Sequence, residues 1–263
     1  MEFYLGVHRP NWLGVATVPL LVSQSTLHKV VRKFPRATQP WTLDSGGFHE
    51  VTKYGRYRWS PAEYAARVQL YQREIGSLRF AAIQDYMCEE VALKRTGLTV
   101  LEHQTRTIDS FVELSMRAPG VPWLPVLQGW CQGEYEDHFV AYARRGIDLR
   151  KEPRVGVGSI CRRQATLRTS LMLSSFQRDG LKLHAFGLKA NGLDLMGGGA
   201  LASADSAAWS FNARREHREA QQYLPPEKKT KTGEQNKLSR ALSWRQEVIM
   251  PRLRRGAGQQ QAA

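Results

Sequence analysis

Four residues of this 263-residue chain combine chemical capacity with a telling position. Asp44, Asp85 and Asp205 each fall at the end of a short apolar run, as does Gln128, in "WTLD", "FAAIQD", "ALASAD" and "WLPVLQ". Runs of that length read as buried strands, so three carboxylates and a carboxamide gather at strand carboxyl ends. A carboxylate taken out of water is costly unless something compensates it, and several at one level of a fold mark a site. Ser45, Gly46, Gly47 and Phe48 follow Asp44 directly, so an acid, bare backbone and an aromatic ring come together. Gly158 and Phe186 end two further runs, "RVGVGS" and "LHAFG". Taken singly, each residue also has an ordinary use. Asp44 and Asp205 suit caps, Asp85 a loop hydrogen bond, Gln128 a turn, and the two phenylalanines a core.

The elements that must position these groups recur regularly. Eight apolar runs, at 3–7, 19–23, 41–44, 80–85, 123–129, 154–159, 183–187 and 200–206, are each followed by Gly, Pro or polar residues. Helical patterns lie between them. "SPAEYAARVQLYQREIG" opens with Ser60 as N-cap and Pro61 at the first helical position and puts Tyr64, Val68, Tyr71 and Ile75 on one face. "TVLEHQTRTIDSFVELSM" does the same with Leu101, Ile108, Phe111 and Leu114, and "EYEDHFVAYARRG" with Tyr135, Phe139 and Tyr142. "SQSTLHKVVRKF" and "RRQATLRTSLMLSSFQRDG" supply two more helices. Eight strands alternating with helices predict an α/β fold, an irregular (β/α)8 TIM barrel over residues 1–215. The irregularity lies at "HRPNWLGVAT", too short for a full helix. A doubly wound open sheet is the competing fold, weakened because no G-x-G-x-x-G follows the first strand. Residues 216–255 read as a basic helical C-terminal extension packing on the barrel through Leu238, Leu242, Val248 and Ile249. Residues 256–263 read as a disordered tail.

Composition narrows the partners. Lys and Arg number 38 against 24 Asp and Glu, a formal charge of +14, and the pI is near 10.0. A polyanion, most simply nucleic acid, explains such a surplus. Hydrophobic residues make up 42% of the chain, enough for a folded core. Neither a signal peptide nor a membrane span is visible, so the expectation is a soluble, cytoplasmic protein. Cys88, Cys131 and Cys161 are too isolated to form a disulfide framework or a zinc site.

With those motifs in place, "LDSGGF" resembles the D-S-G-G-[FY] signature of the tRNA-guanine transglycosylase superfamily. "QD" at 84–85, "VLQG" at 126–129, "VGVGS" at 155–159, "FG" at 186–187 and "SADS" at 203–206 follow in the same order. The resemblance covers most of residues 1–215. It implies a barrel that exchanges a guanine in nucleic acid for a 7-deazaguanine. By that match Asp205 is the nucleophile at C1′ and Asp44 the general acid/base. Asp85 accepts hydrogen bonds from N1–H and the 2-amino group of the base. Gln128 and a backbone N–H around Gly158 donate to its 6-oxo group, while Phe48 and Phe186 sandwich the ring. Ser45, Gly46 and Gly47 line the base pocket, the glycines letting the loop pass flush against it. Arg214 and Arg215 are the expected phosphate contacts. The tRNA enzymes resemble one another in a C-x-C-x-x-C plus His zinc site near the carboxyl terminus, yet no cysteine follows Cys161 here. The chain is therefore most similar to the zinc-less DNA-guanine transglycosylases of phages and bacteria. That likeness implies DNA and a free base such as 7-cyano-7-deazaguanine as substrates, with no metal or other cofactor. A tRNA substrate, or a nucleic-acid-binding barrel without catalysis, are the alternatives.

Overall fold

Nine parallel strands follow the apolar runs closely in the computed structural model, which describes residues 1–31, 33–160, 166–196, 201–210 and 234–260. They are β1 (Glu2–Val7), β2 (Leu20–Ser23), β3 (Trp41–Asp44), β4 (Leu78–Ala82), β5 (Trp123–Leu124), β6 (Val126–Leu127), β7 (Val155–Val157), β8 (Leu183–Ala185) and β9 (Ser203–Ser206). Their order in the sheet is β5-β4-β3-β2-β1-β9-β8-β7-β6. The two ends of that order, β5 and β6, are halves of one run divided by Pro125. The Pro122 and Leu124 carbonyls accept from Ala81 of β4 and from Ile83 just past it, whereas the Pro125 and Leu127 carbonyls accept from Gly156 and Gly158. Proline has no N–H to return, so the ladder breaks at that residue while the chain bridges both edges. The result is a nearly closed α/β barrel, and an open doubly wound sheet is excluded.

Side-chain alternation along each strand divides the apolar residues in two. Phe3, Leu5, Leu20, Val22, Trp41 and Leu43 belong to the large cluster shared with the helices. Tyr4, Leu21, Phe80 and Leu124 point the other way and fill the barrel interior, with Phe186 packed on them.

The helices are α1 (Gln24–Leu27), α2 (Gly47–Tyr54), α3 (Pro61–Glu74), α4 (Glu90–Thr96), α5 (Val100–Arg117), α6 (Gln132–Arg144), α7 (Leu167–Arg178) and α8 (Ala190–Met196). Ser60 and Thr99 each form a full capping box, with Glu63 and Glu102 respectively, which fixes where α3 and α5 begin. Between β1 and β2 there is only a 3-10 turn, Pro10–Gly14, as the short connection requires. Two readings are corrected. "SQSTLHKVVRKF" is helical only over Gln24–Leu27; the β-branched pair Val30–Val31 and Pro35 disfavour its continuation, and Val31 is 92% exposed. Leu101, placed on the buried face of α5, is 67% exposed, because polar residues of that helix take the inward positions.

Residues 234–260 are helical, with one π turn at Arg245–Ile249. Ala241 and Ile249 are buried in the same cluster as the barrel's outer layer, flanked by Leu238, Leu242 and Val248. Trp244 lies 6.5 Å from Phe3 of β1, and Arg252 pairs with Asp194 of α8 at 3.0 Å. Those contacts join residues of this segment to the outer apolar cluster, and the last helix spans Met250–Gln260.

One interior position tests how tightly the barrel is filled. A Cβ on Gly156 would lie 2.7 Å from the Phe186 ring and 3.2 Å from Leu124 and Val126. Gly156→Ala should therefore cost about 1–3 kcal/mol by overpacking, visible as a lowered denaturation midpoint. An unchanged midpoint would mean the interior is looser than its geometry.

Candidate active site

Strand register sets which residues can meet. Asp205 pairs with Tyr4 and Asp44 with Ser23, while Val126 pairs with Gly156 and Gly156 with His184. Side chains two apart on a strand share a face, so Asp44, Gln128, Gly158, Phe186 and Asp205 all project from the interior face at the carboxyl end. That end is where barrels of this kind carry their chemistry. A cavity of about 140 Å3 opens there, lined among others by Asp44, Gly47, Phe48, Asp85, Gln128 and Phe186. A larger cavity of about 650 Å3 lies at the opposite end, around Arg79, Arg154 and Tyr4. There Glu2 accepts from Tyr4 at 2.9 Å and pairs with Arg154 at 3.0 Å and Arg79 at 3.4 Å, an ion-paired plug at the end of the barrel associated with stability.

The "DSGGF" segment is a strand-to-helix junction. Gly46 adopts φ +77° as the N-cap of α2, and its neighbours Ser23 and Ser25 crowd any side chain there. A Cβ on Gly47 would lie 2.3 Å from the Tyr57 hydroxyl. The two glycines thus serve backbone conformation and close packing respectively, and Gly47 also lines the cavity. Phe48, in the first turn of α2, is 45% exposed on the cavity rim. No helix was expected here; the glycines that suggested a turn start one instead.

Asp85 lies just past β4 at the centre of a hydrogen-bond chain. Gln128 donates to its Oδ2 at 2.5 Å and Ser45 to its Oδ1 at 3.1 Å. Ser159 donates to Gln128 Oε1 at 2.7 Å, and the Cys88 N–H donates to Ser159 at 2.9 Å. Tyr57 donates to the Asp85 carbonyl at 2.9 Å. Glycine is required at 158 because a Cβ would overlap the Gln128 amide at 2.1 Å. The N–H of Gly158 itself donates to Leu127 within the sheet at 3.0 Å. The ladder thus uses that group, while Gly158 itself lines the cavity.

A polar stripe on α5 carries the segment around Asp85. Ser110 accepts from the Gln84 N–H at 3.1 Å and Thr107 from the Tyr86 N–H at 2.9 Å, while His103 contacts the Met87 carbonyl at 2.7 Å. Gln104 donates to the Gln128 carbonyl at 2.9 Å, and His138 accepts the Gln128 N–H at 2.9 Å. Loop backbone buried without such partners would be unstable.

Asp205 is held differently. The Gly187 N–H donates to its Oδ1 at 2.9 Å, and His184 Nε2 lies 3.5 Å from the same oxygen. His184 Nδ1 bonds Ser203 at 2.8 Å, and the ring is packed edge-on against Phe186 and Phe80. Burial pushes the His184 pKa down, and its buried Nε2 makes no hydrogen bond among the described residues. Sequence reasoning missed His184, Ser159, Ser23 and Tyr57. His184 could have been found from its parity, two residues before Phe186 on an apolar strand. Arg214 and Arg215 lie outside the described residues.

Residues 1–256 match the family DpdA, DeoxyPurine in DNA protein A. The chain belongs to the DpdA family. That family is itself tRNA-guanine transglycosylase-like, and it places the chain among transglycosylases of deazapurine DNA modification, with DNA as substrate. A search of curated proteins returns no match. Among solved structures, a fructose-1,6-biphosphate aldolase from Coccidioides immitis is similar with a TM-score of 0.51 at 11% identity, over 97% of this chain and 90% of that one. The YdjI aldolase from Escherichia coli K12 aligns with a TM-score of 0.42 at 12% identity, over 94% and 91%. The first likeness shows the barrel fold alone.

The electrostatics of this DpdA-family site follow from its donors, which are nearly all neutral. Burial pushes the Asp44 pKa up and the charge of Asp205 adds to it, while Ser23 and the Gly46 backbone pull it back. Asp85 is pushed up to about 6 by burial and then by the charge of Asp44, with Gln128 and Ser45 opposing. An acid that is harder to ionise in the folded state weakens the fold above its folded pKa. That penalty disappears below its unfolded value near 3.9. Asp85→Asn should therefore raise stability at pH 7 by about 1–2 kcal/mol and flatten its pH dependence between about 4 and 6. Chemical denaturation at both pH values checks this, and a destabilised variant would refute the balance.

Proposed function

We propose that this protein exchanges guanine in DNA for a 7-deazaguanine base through a covalent sugar–aspartate intermediate. The observation that carries the reading is the Asp85–Gln128 pair at the edge of a narrow cavity between Phe48 and Phe186. A carboxylate accepts from the N1–H and 2-amino group of guanine, and an amide with a second hydrogen to give donates to the 6-oxo group. The aromatic rings suit the faces of a flat heterocycle. An adenine-like edge would set donor against donor and acceptor against acceptor there.

In the proposed exchange, a carboxylate oxygen of Asp205 attacks C1′ while the C1′–N9 bond breaks and its electron pair passes to the base. Asp44 supplies the proton that the departing guanine takes. Its raised pKa favours its holding one beforehand. The Gly187 N–H engages Oδ1 of Asp205, which leaves Oδ2 as the attacking oxygen. The incoming base then returns its N9 proton to Asp44 and displaces Asp205 from C1′. Two inversions restore the configuration, as in retaining glycoside hydrolysis. The target nucleotide must leave the stack to reach the cavity, with Arg214 and Arg215 as proposed phosphate contacts.

Incubation with labelled 7-deazaguanine bases and either DNA or tRNA tests the reading directly. Label entering tRNA and not DNA would refute it. Asp205→Asn should abolish exchange while DNA affinity stays within about twofold. An adduct trapped on another carboxylate would reassign the nucleophile. Asp85→Ala should lower discrimination between guanine-like and adenine-like bases by about 10²-fold or more. Because Asp85 must be ionised to accept two N–H groups, base affinity of the native protein should fall as the pH drops below about 6.

A further inference from the structure

Beside the base cavity lies a second depression of about 550 Å3, against about 140 Å3 for the cavity itself. Arg56, Tyr57, Trp59, Tyr86 and Arg106 line it. It sits on the same rim, because Tyr57 and Tyr86 separate the two. Tyr57 donates to the Asp85 carbonyl on the cavity side, and its ring meets Tyr86 at 5.5 Å and 73°. The walls alternate rings and guanidinium groups. Arg106 stands 5.4 Å from the Tyr86 ring centre, and behind the wall Arg67 stands 5.0 Å from that of Trp59.

The charges along this groove are unevenly committed. Glu63 is held by the Ser60 cap, Asp109 pairs with Arg145 and Glu113 with Arg117. Arg56 and Arg106 are exposed and have no ion-pair partner among the described residues. Glu102, the acid one turn before Arg106, is held by the Thr99 cap. Two cations without an ion pair, one of them resting over the Tyr86 ring, and a row of partly buried rings are complementary to phosphates and to unstacked bases. They match what a single strand presents and a duplex hides.

The geometry points to this groove as the track for a single-stranded DNA segment flanking the exchanged nucleotide, its bases stacking at Trp59 and Tyr86 and its phosphates meeting Arg56 and Arg106. The assignment rests on the exchange reading for why a strand should pass there, but the contacts are testable without it. A nucleotide flipped into the base cavity leaves its neighbour unstacked on one side. A ring in the adjoining groove, Trp59 or Tyr86, replaces the lost stacking.

The test uses the full-length protein and an unmodified single-stranded oligonucleotide, with affinity followed across salt concentrations. Arg56→Glu with Arg106→Glu, both exposed positions, should weaken binding at least tenfold. It should also flatten the log–log salt slope by roughly 1.4, two contacts at about 0.7 each. Trp59→Phe should remove a fluorescence change seen on binding in the parent protein, and Trp59→Leu should cost roughly tenfold in affinity. Binding of a free guanine-type base to the cavity should be untouched in the arginine variant. An unchanged slope and affinity in that variant while exchange persists would overturn the groove and leave the exchange reading standing. Loss of strand binding on charge reversal in a protein that exchanges no base would do the opposite. Equal affinity for duplex DNA with no Trp59 signal would refute the stacking role.

Discussion

Everything at this site depends on keeping Asp85 partly out of water with mainly neutral partners. Ser45 and Gln128 each give it one hydrogen bond, and no cation pairs with it among the described residues. The acid is therefore held at the edge of ionisation, near pH 6, and the surroundings must be rigid enough to hold it there. The rigidity has identifiable sources. Gln128 is fixed by Ser159, Gln104 and His138, and the backbone around Asp85 by Ser110, Thr107 and Tyr57. An arginine beside Asp85 would stabilise the carboxylate more, and would also occupy the lone pairs that the proposed base contact uses. The fold accepts a less stable acid in exchange for an open acceptor, a trade expected of functional sites.

The barrel and the level of the site were legible because both are written in local signals. A strand buried on both faces is a short apolar run, and its carboxyl end shows as the first polar residue after it. Asp44, Gln128 and Asp205 were expected at one level of the barrel for that reason, and their strands do end together there. What was not legible depends on contacts between distant segments. The stripe His103, Thr107 and Ser110 looks like the solvent face of an amphipathic helix, yet it is buried against the backbone after β4. Periodicity assigns polar residues to water, and only the loop's unmet hydrogen bonds reverse that assignment. Gly46 and Gly47 announced a turn, but a positive-φ N-cap serves a helix equally well. The split of one strand at Pro125 was visible as a proline, though its consequence for the ladder requires both neighbours to be known.

The two catalytic candidates differ in how their environment treats charge. Asp44 and Asp85 are near enough for the charge of one to raise the other, and Asp205 raises Asp44 in turn. Asp44 and Asp85, so coupled, do not both ionise freely. Asp205 accepts the Gly187 N–H at one oxygen. Asp44 has a serine hydroxyl and one backbone group, which oppose its upward shift without cancelling it. That raised pKa is what suits Asp44 to the proton-carrying part in the proposed exchange.

The supply of hydrogen bonds traces back to strand register. Ser23 faces Asp44 across the β2–β3 ladder, and Ser203 faces His184 across β8–β9. Slipping either pair by one residue would turn its side chain to the helix layer and leave the acid without its support. Register in turn is held by the packing of Phe3, Leu5, Trp41 and Leu43 against α3 and the C-terminal helical segment. The chemistry at one end of the barrel is therefore specified by an apolar pattern that never touches it. A substitution in that outer layer that shifts a strand should disturb Asp44 and Asp205 together, since β1 to β3 connect them through β9 in one continuous ladder.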